Sequence, residues 1–323
     1  MFDIITFGSA ANDIFIKIKN HKLVSDNDFS AGKGICFSFG SKIEIDEIAF
    51  ATGGGGTNTA VAFALQGFKT AFCGNIGEDI AGERILKELK EYGVNTSLVA
   101  KSKKPTNHSI IFQGQERTIL AYRGASEDVT DFAWGKLKAK WFYIASLSQN
   151  VGKIIDIALS HKTKIVLNPG KVQLPNEILS KADILVLNQE EAAFLTKLSY
   201  NDEHEVFKKI DEICPGIAIM TKGSAGVTVS DGKYLYSAKP IPSDIVDTTG
   251  AGDSFASGFV SGYIRSKGDI VYSIQFGIAN ASGCLSKLGS KPGLLKNGQE
   301  FVKVEVKKEE CQINGLCQPK HEA

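Results

Sequence analysis

A glycine-rich turn near residue 250 is followed at once by a carboxylate. Gly250, Ala251 and Gly252 precede an apolar helical pattern, so the turn would aim backbone N–H groups outward at the positive end of a helix dipole. Such a turn favours an anion such as phosphate. Asp253 comes next, although a carboxylate is repelled by phosphate unless something compensates. We therefore interpret Asp253 as a base that takes a proton from an alcohol during attack on a phosphoryl group.

A second glycine-rich segment, residues 53–56, also runs directly into an apolar helical pattern. Thr57 and Asn58 stand at the positions where we expect the helix to be capped. The alternative is a flexible linker, but a linker has no reason to be followed by a cap. We expect this loop to bind a ligand, with Gly54, Gly55 and Asn58 as candidate contacts.

From residue 141 onward, short apolar strands and helices alternate, which is typical of a mostly parallel sheet covered by helices on both faces. Doubly wound sheets bind ligands at the carboxyl ends of their strands. Polar residues or glycine directly follow these strands at Asn168, Asn188, Lys222 and Gly223, and a small-residue turn after the first strand ends at Asp13. We expect these residues to line one ligand-binding edge.

Asn188 and Glu191 are spaced by three residues and so share one face of the first turn of a helix. Amide and carboxylate oxygens suit hydrated magnesium, which takes few protein ligands. The alternative is a helix N-cap followed by acidic residues that favour the helix dipole. Spacing alone favours the cap.

Two segments look like a small separate sheet, which we interpret as a lid. The first covers about residues 14–50 and contains strand-like pieces at Phe15–Ile18, Ile35–Phe37 and Lys42–Ile45. The second covers about residues 107–123 and predicts a hairpin around Gly114-Gln115. Open strand edges in such a lid could pair two chains into a homodimer.

Composition narrows the possible partners. The 323 residues include 37 basic and 36 acidic ones, which gives no general reason to expect nucleic acid or an anionic membrane as partner. The start of the chain lacks a leader pattern and no apolar stretch reaches membrane-spanning length, which predicts a cytoplasmic protein. The six cysteines show no CxxC spacing; Cys311 and Cys317 lie in a polar tail, where a metal or redox role stays open.

The two glycine-rich segments are similar to the two signatures of the ribokinase-like (PfkB) kinases of sugars and nucleosides. They are residues 53–60 and 247–253, and the resemblance extends over about residues 1–300, leaving 301–323 as a tail. It implies one doubly wound α/β domain with a β lid, ATP as co-substrate and Mg²⁺ as cofactor.

The resemblance also implies roles for single residues. It shifts the balance for Asn188 and Glu191 from a plain cap towards ordering magnesium and phosphate. Asp13 and Asn58 would bind hydroxyls of the acceptor, with Arg123 closing over them from the lid. The nucleotide would be contacted by Thr221, Gly223, Gly226, Asn280 and the loop 289–293.

The acceptor stays open, because sugars and nucleosides both present vicinal hydroxyls. We favour a sugar. A nucleoside would need an aromatic slot for its base, for which the candidates are Phe15, Phe37, Phe39 and Phe112. A sugar phosphate would need cations such as Lys17, Lys42 and Arg123. A nucleotide-binding regulator without catalysis is the rival from another class, and the donor could be ATP, ADP or GTP.

Overall fold

The computed structural model describes residues 1–18, 22–26, 33–113, 118–128, 132–145, 150–242 and 244–310. The strands are β1 (Phe2–Phe7), β2 (Ala11–Lys17), β3 (Lys22–Ser25), β4 (Lys33–Cys36), β5 (Glu47–Gly53), β6 (Thr70–Cys73), β7 (Asn75–Gly77), β8 (Ala100–Ser102), β9 (Asn107–Gln113), β10 (Thr118–Tyr122), β11 (Ala139–Ala145), β12 (Lys164–Asn168), β13 (Ile184–Asn188), β14 (Ile217–Thr221), β15 (Val227–Ser230), β16 (Tyr234–Ala238) and β17 (Val306–Glu310). The helices are α1 (Gly55–Leu65), α2 (Ile80–Glu91), α3 (Val151–Ser160), α4 (Asn176–Leu179), α5 (Gln189–Thr196), α6 (Glu203–Ile213), α7 (Ala251–Ser266) and α8 (Ile270–Leu285).

The main sheet has nine strands in the order β17-β16-β15-β14-β13-β12-β11-β1-β6. From β6 to β14 neighbouring strands are parallel, and β15, β16 and β17 add antiparallel pairs at one edge. The expected doubly wound α/β fold with a mostly parallel sheet is thereby confirmed.

Both faces of the main sheet are buried, which explains why its strands are almost continuously apolar. In β11, Phe142 and Ile144 pack on the face covered by α3 and α6. Tyr143 and Ala145 point the other way, towards α7 and α8. The helices on opposite faces leave the carboxyl ends of the strands open to the loops that carry the candidate site.

A four-stranded sheet with the order β10-β9-β2-β5 is the small separate sheet, for which we keep the name lid. The piece predicted at Ile35–Phe37 does not belong to it, because it overlaps β4, which pairs with β3 in a two-stranded sheet. The strand predicted at Lys42–Ile45 was wrong, because the strand β5 begins only at Glu47. The alternating pattern runs across both segments, but β5 pairs with β2 from Gly53↔Ala11 to Glu47↔Lys17, and β2 ends there. Among the described residues, the piece before Glu47 therefore has no continuation of β2 to pair with.

Other expectations are corrected locally. Asp13 lies within β2, in the lid sheet, rather than in a turn after β1. Helix α1 starts at Gly55 with Gly54 as its N-cap, so Thr57 and Asn58 sit inside its first turn instead of capping it. Thr57 Oγ1 instead donates to the carbonyl of Gly53 at 2.7 Å. The predicted turn at residues 114–115 and both tail cysteines lie outside the described residues.

Within the described ranges, none of the helices combines the length and the apolar character needed to cross a membrane.

Candidate active site

The turn before α7 presents backbone donors at the carboxyl edge of the main sheet. Gly250 adopts a left-handed conformation with φ of 77°, and its carbonyl accepts a hydrogen bond from the N–H of Ser254 at 2.8 Å. Among the residues that the structure describes, the N–H groups of Gly252 and Asp253 have no acceptor. These donors, at the positive end of a 16-residue helix, can hold an anion.

Asp247 locks this turn against the loop after α8. One carboxylate oxygen accepts from the N–H of Thr249 at 2.9 Å and from its hydroxyl at 2.7 Å. The other accepts from the N–H of Gly289 at 2.9 Å. Contact between the turn and the loop is so close that a Cβ on Gly250 would lie 2.3 Å from Cβ of Ser290. The turn and the loop are therefore held as one unit.

Asp253 points from the first turn of α7 towards the start of α1. Its Oδ2 accepts a hydrogen bond from Nδ2 of Asn58 at 2.9 Å. A Cβ on Gly55 would approach Oδ1 to 3.4 Å, so the glycine leaves room beside the carboxylate. Burial raises the pKa of Asp253; the Asn58 hydrogen bond lowers it, and the nearby charge of Asp13 raises it further. A carboxylate with a raised pKa is better suited to accept a proton.

Asp13 reaches the same place from the lid strand β2. Its side chain is buried, and burial raises its pKa, whereas a hydrogen bond from Ser109 and the charge of Lys291 lower it. A Cβ on Gly53 would lie only 2.0 Å from Oδ2 of Asp13, which explains the glycine at the end of β5. The structure thus brings Asp13, Asn58 and Asp253 together from three separate elements.

Asn188 and Glu191 form the helix cap that their spacing predicts. Asn188 Oδ1 accepts from the N–H of Glu191 at 2.8 Å, and Glu191 Oε2 accepts from the N–H of Asn188 at 2.9 Å. Burial raises the pKa of Glu191, and the charge of Asp253 raises it as well. Glu191 is therefore both a capping residue and a charged neighbour of the candidate base.

A magnesium ion fits this environment only with few protein ligands. Within the described chain, no cluster of three or more His, Cys, Asp or Glu side chains could hold a metal. Glu191 still has a second carboxylate oxygen, and hydrated Mg²⁺ commonly takes one or two carboxylates together with substrate phosphates.

Three candidate nucleotide contacts lie between the end of β14 and the start of β15. Thr221 is the last residue of β14, and Gly223 follows with φ of +55° in a short 3-10 turn. Gly226 has φ of +101°, and a Cβ there would lie 2.0 Å from the carbonyl oxygen of Ala238. Gly226 is thus required by backbone packing, and a nucleotide contact at these residues stays a prediction.

Asn280 is buried in α8 with both ends of its amide occupied. Nδ2 donates to the carbonyl of Ser254 at 2.7 Å, and Oδ1 accepts from the N–H of Leu295 at 2.9 Å. It holds α8 against α7. A cavity of about 280 Å³ adjoins the neighbouring face of α8 and is lined by Ile241, Ile278, Ala279, Ser282, Leu295, Glu300, Phe301 and Val302. The cavity has room for a planar base, and the predicted position of Asn280 near the base stays a prediction.

Arg123 is the candidate that the resemblance assigns to closing over the acceptor. It lies exposed on the lid just after the end of β10. Its predicted closure over the acceptor stays a prediction.

Sequence reasoning missed a buried charge beneath the lid. Lys291 is 3% exposed; its Nζ lies 2.9 Å from Oε2 of Glu88 and also contacts the hydroxyl of Thr52. Burial lowers the pKa of Lys291, and Glu88 raises it. The only sequence signal was a lysine in a glycine-rich loop, because its partner Glu88 is 203 residues away.

Comparison with known proteins agrees with this architecture. The family model for the pfkB family of carbohydrate kinases matches residues 16–297. A ribokinase of Staphylococcus aureus (strain COL) is 30% identical over 271 residues, which cover 79% of this chain and 89% of the relative. An adenosine kinase of Saccharomyces cerevisiae is 27% identical over 292 residues, which cover 81% and 86%.

Solved structures show the same fold. The structure of an Arabidopsis thaliana ribokinase complexed with ribose and ATP superposes with a TM-score of 0.74 at 23% identity, covering 90% of this chain and 96% of that one. With the family match over residues 16–297, the chain belongs to the pfkB family of carbohydrate kinases, whose members are phosphotransferases with an alcohol acceptor.

Proposed function

We propose that this kinase transfers the γ-phosphoryl group of ATP to a hydroxyl of a sugar, with Asp253 as the base. The observation that carries the proposal is the pairing of Asp253 with Asn58 directly beside the unpartnered N–H groups of the turn. A proton acceptor, a hydroxyl-binding amide and an anion cradle therefore stand side by side.

In the proposed reaction, Asp13 and Asn58 hold the acceptor hydroxyls and orient one of them towards Asp253. Asp253 takes the proton of that hydroxyl as its oxygen attacks the γ-phosphorus. The N–H groups of Gly252 and Asp253, with that of Gly250, stabilise the negative charge that spreads over the phosphoryl oxygens, whereas the N–H of Ala251 is held by the carbonyl of Thr248 at 3.4 Å. Glu191 would help to hold a hydrated magnesium ion, which supplies further positive charge to the phosphates.

The register of the lid supports a sugar over a nucleoside. Side chains alternate along β2, so Phe15 shares the face of Asp13. Phe112 pairs across the sheet with Ile16 and therefore lies on the opposite face, where it packs on Phe37 with ring centroids 6.0 Å apart. Phe39 is fully exposed. Of the four aromatic candidates, Phe15 alone shares the face of Asp13 or packs beside it. One aromatic side chain is not enough to form a slot for a nucleoside base.

Two of the three cations suggested for a sugar phosphate are poorly placed to bind one. Lys17 is paired with Glu47 at 2.9 Å. It lies four residues along β2 from Asp13, a distance of about 13 Å. Lys42 is exposed outside the lid strands. These positions favour an unphosphorylated sugar.

A coupled ADP-release assay tests the proposal, with ATP and a panel of pentoses, hexoses, nucleosides and sugar phosphates. We expect turnover with a sugar, and a loss of about 10²-fold or more in Asp253→Asn. Near-normal turnover of a folded Asp253→Asn variant would show that the base is assigned wrongly. Silence of the wild type across the panel with intact ATP binding would favour the non-catalytic regulator.

We also propose that the lid mediates a homodimer. The lid face opposite Asp13 carries large apolar side chains that are about half exposed: Ile48, Phe50, Leu120 and Tyr122. Analytical ultracentrifugation should show a dimer that Phe50→Ser weakens. A monomer at all concentrations would contradict this association.

A further inference from the structure

Ser290 is a buried serine that the proposed reaction leaves without a role. It is 1% exposed, in the loop after α8. Its Oγ donates to Oδ1 of Asn58 at 2.7 Å, and Nδ2 of the same amide donates to Oδ2 of Asp253 at 2.9 Å. Two successive hydrogen bonds therefore run from Ser290 to the candidate base.

Several contacts fix Ser290 in place. Its Cβ lies against Gly250 of the anion-binding turn. Its carbonyl oxygen is 3.6 Å from Sγ of Cys284, and the preceding residue, Gly289, is bonded to Asp247. Ser290 is therefore part of the same rigid unit as the turn. The Ser290 hydroxyl attaches Asn58 to that unit.

An amide side chain has a donor end and an acceptor end, and only the donor end can face a carboxylate favourably. Asn58 is 5% exposed, so its acceptor end also needs a partner within the protein. The hydroxyl of Ser290 is that partner. It thereby favours the orientation in which the N–H groups of Asn58 point towards Asp253 and the space beside it.

We propose that Ser290 is a positioning residue for phosphoryl transfer, holding the Asn58 amide with its donor end towards the base and the acceptor hydroxyl. This inference rests on the proposed function, because it takes Asp253 as the base. Ser290 itself touches neither the phosphate nor the acceptor in this scheme.

The charged and titratable groups that influence Asp253 come from four elements. Asp13 on β2 raises the pKa of Asp253, and the charge of Asp253 in turn raises the pKa of Glu191 on α5, Tyr143 on β11 and Cys284 on α8. Ser290→Ala leaves all four in place. A change in the titration of Asp253 in this variant therefore reports on the Asn58 amide.

The first test compares Ser290→Ala with Ser261→Ala. Ser261 is equally buried, and its hydroxyl donates to the carbonyl of Ser257 at 2.7 Å within α7, which makes it a matched control. We expect Ser290→Ala to lower kcat about tenfold, with a smaller change in KM for ATP, and to move the acid side of the pH profile to higher pH. Ser261→Ala should keep wild-type kinetics. An unchanged pH profile in Ser290→Ala, or an equal loss in both variants, overturns the inference.

The second test does not depend on activity. The carboxyl of Asp253 is titrated by ¹³C NMR, with its signal assigned through Asp253→Asn. The titration midpoint should be higher in Ser290→Ala than in the wild type. In Ser290→Cys it should lie between these two values, because a thiol is a weaker donor of similar size. An unchanged midpoint in folded Ser290→Ala overturns the inference. Inactivity of the wild type towards every acceptor counts against the proposed function alone.

Discussion

The same substitution at two glycines of the proposed anion-binding turn should change the free energy of unfolding in different directions. Gly250→Ala introduces a Cβ at φ of +77°, only 2.3 Å from Cβ of Ser290. The left-handed conformation costs about 1–2 kcal/mol and the overpacking about 1–3 kcal/mol. We expect the free energy of unfolding to fall by about 2–5 kcal/mol, which lowers the melting temperature by on the order of 5 °C. Turnover should fall as well, because the turn is displaced.

Gly252→Ala adds the same methyl group where, apart from the neighbouring residues and the backbone of α7 itself, no atom of the described structure lies within 4 Å. Alanine is a better helix former than glycine, so the free energy of unfolding should stay equal or rise by about 0.5–1 kcal/mol. The open space is where we place the transferred phosphoryl group. We therefore expect kcat/KM for ATP to fall about 10²-fold or more although the fold is intact.

Differential scanning calorimetry and steady-state kinetics on both variants separate these effects. A Gly252→Ala enzyme with wild-type kcat/KM would refute the placement of the anion on this turn. A Gly250→Ala enzyme with an unchanged melting temperature would refute the packing of the turn against Ser290.

Three further predictions follow from the site. Asp253 must be ionised to accept a proton, and its pKa is raised. In a pH-rate profile, activity should therefore fall as the pH is lowered, with a midpoint above the one expected for an exposed aspartate, and should return when the pH is raised. Because the folded-state pKa of Asp253 lies above the unfolded-state value, this group stabilises the fold at low pH, and that stability is lost as the pH rises through the folded-state pKa. The loss of activity in acid is therefore caused by protonation of Asp253 and not by unfolding. Glu191→Gln can still cap α5 but loses its charge, so the Mg²⁺ concentration for half-maximal turnover should rise several-fold at a nearly constant melting temperature; an unchanged Mg²⁺ dependence would remove Glu191 from the metal site. Lys291→Met breaks the buried pair with Glu88 and should cost about 3 kcal/mol in urea unfolding, the lower end for a buried pair, because the Glu88 side chain is 28% exposed. The exposed Lys87→Met should cost less than about 0.5 kcal/mol, and equal losses would contradict the assigned burial.

The sequence was most informative where neighbouring residues alone determine the local backbone structure. The long, mainly apolar pattern of residues 270–285 predicts a helix, and α8 has the same bounds, Ile270–Leu285. The turn at Gly250 was predicted because glycine pairs mark tight backbone near a helix start. The Asn188 and Glu191 cap followed from their spacing alone.

Tertiary pairing explains the failures. The choice between residues 42–45 and Glu47–Gly53 as a strand depends on where β2 ends, which local alternation does not reveal. The role of Lys291 depends on α2 and β5, which are far away in the chain. The Ser290 hydroxyl was unpredictable for the same reason, since Asn58 is 232 residues away.

The two sheets differ in how their edges meet other chains. At one edge of the main sheet, β17 consists of Val306 followed by Lys307, Lys308, Glu309 and Glu310, whose charges discourage the addition of another strand. At the other edge, β6 is buried and bonds to Asn95. The lid ends instead on the exposed strand β10. If the proposed homodimer forms, it should therefore pair at the lid and not at the edges of the main sheet, and aggregation at high concentration should begin at the same place.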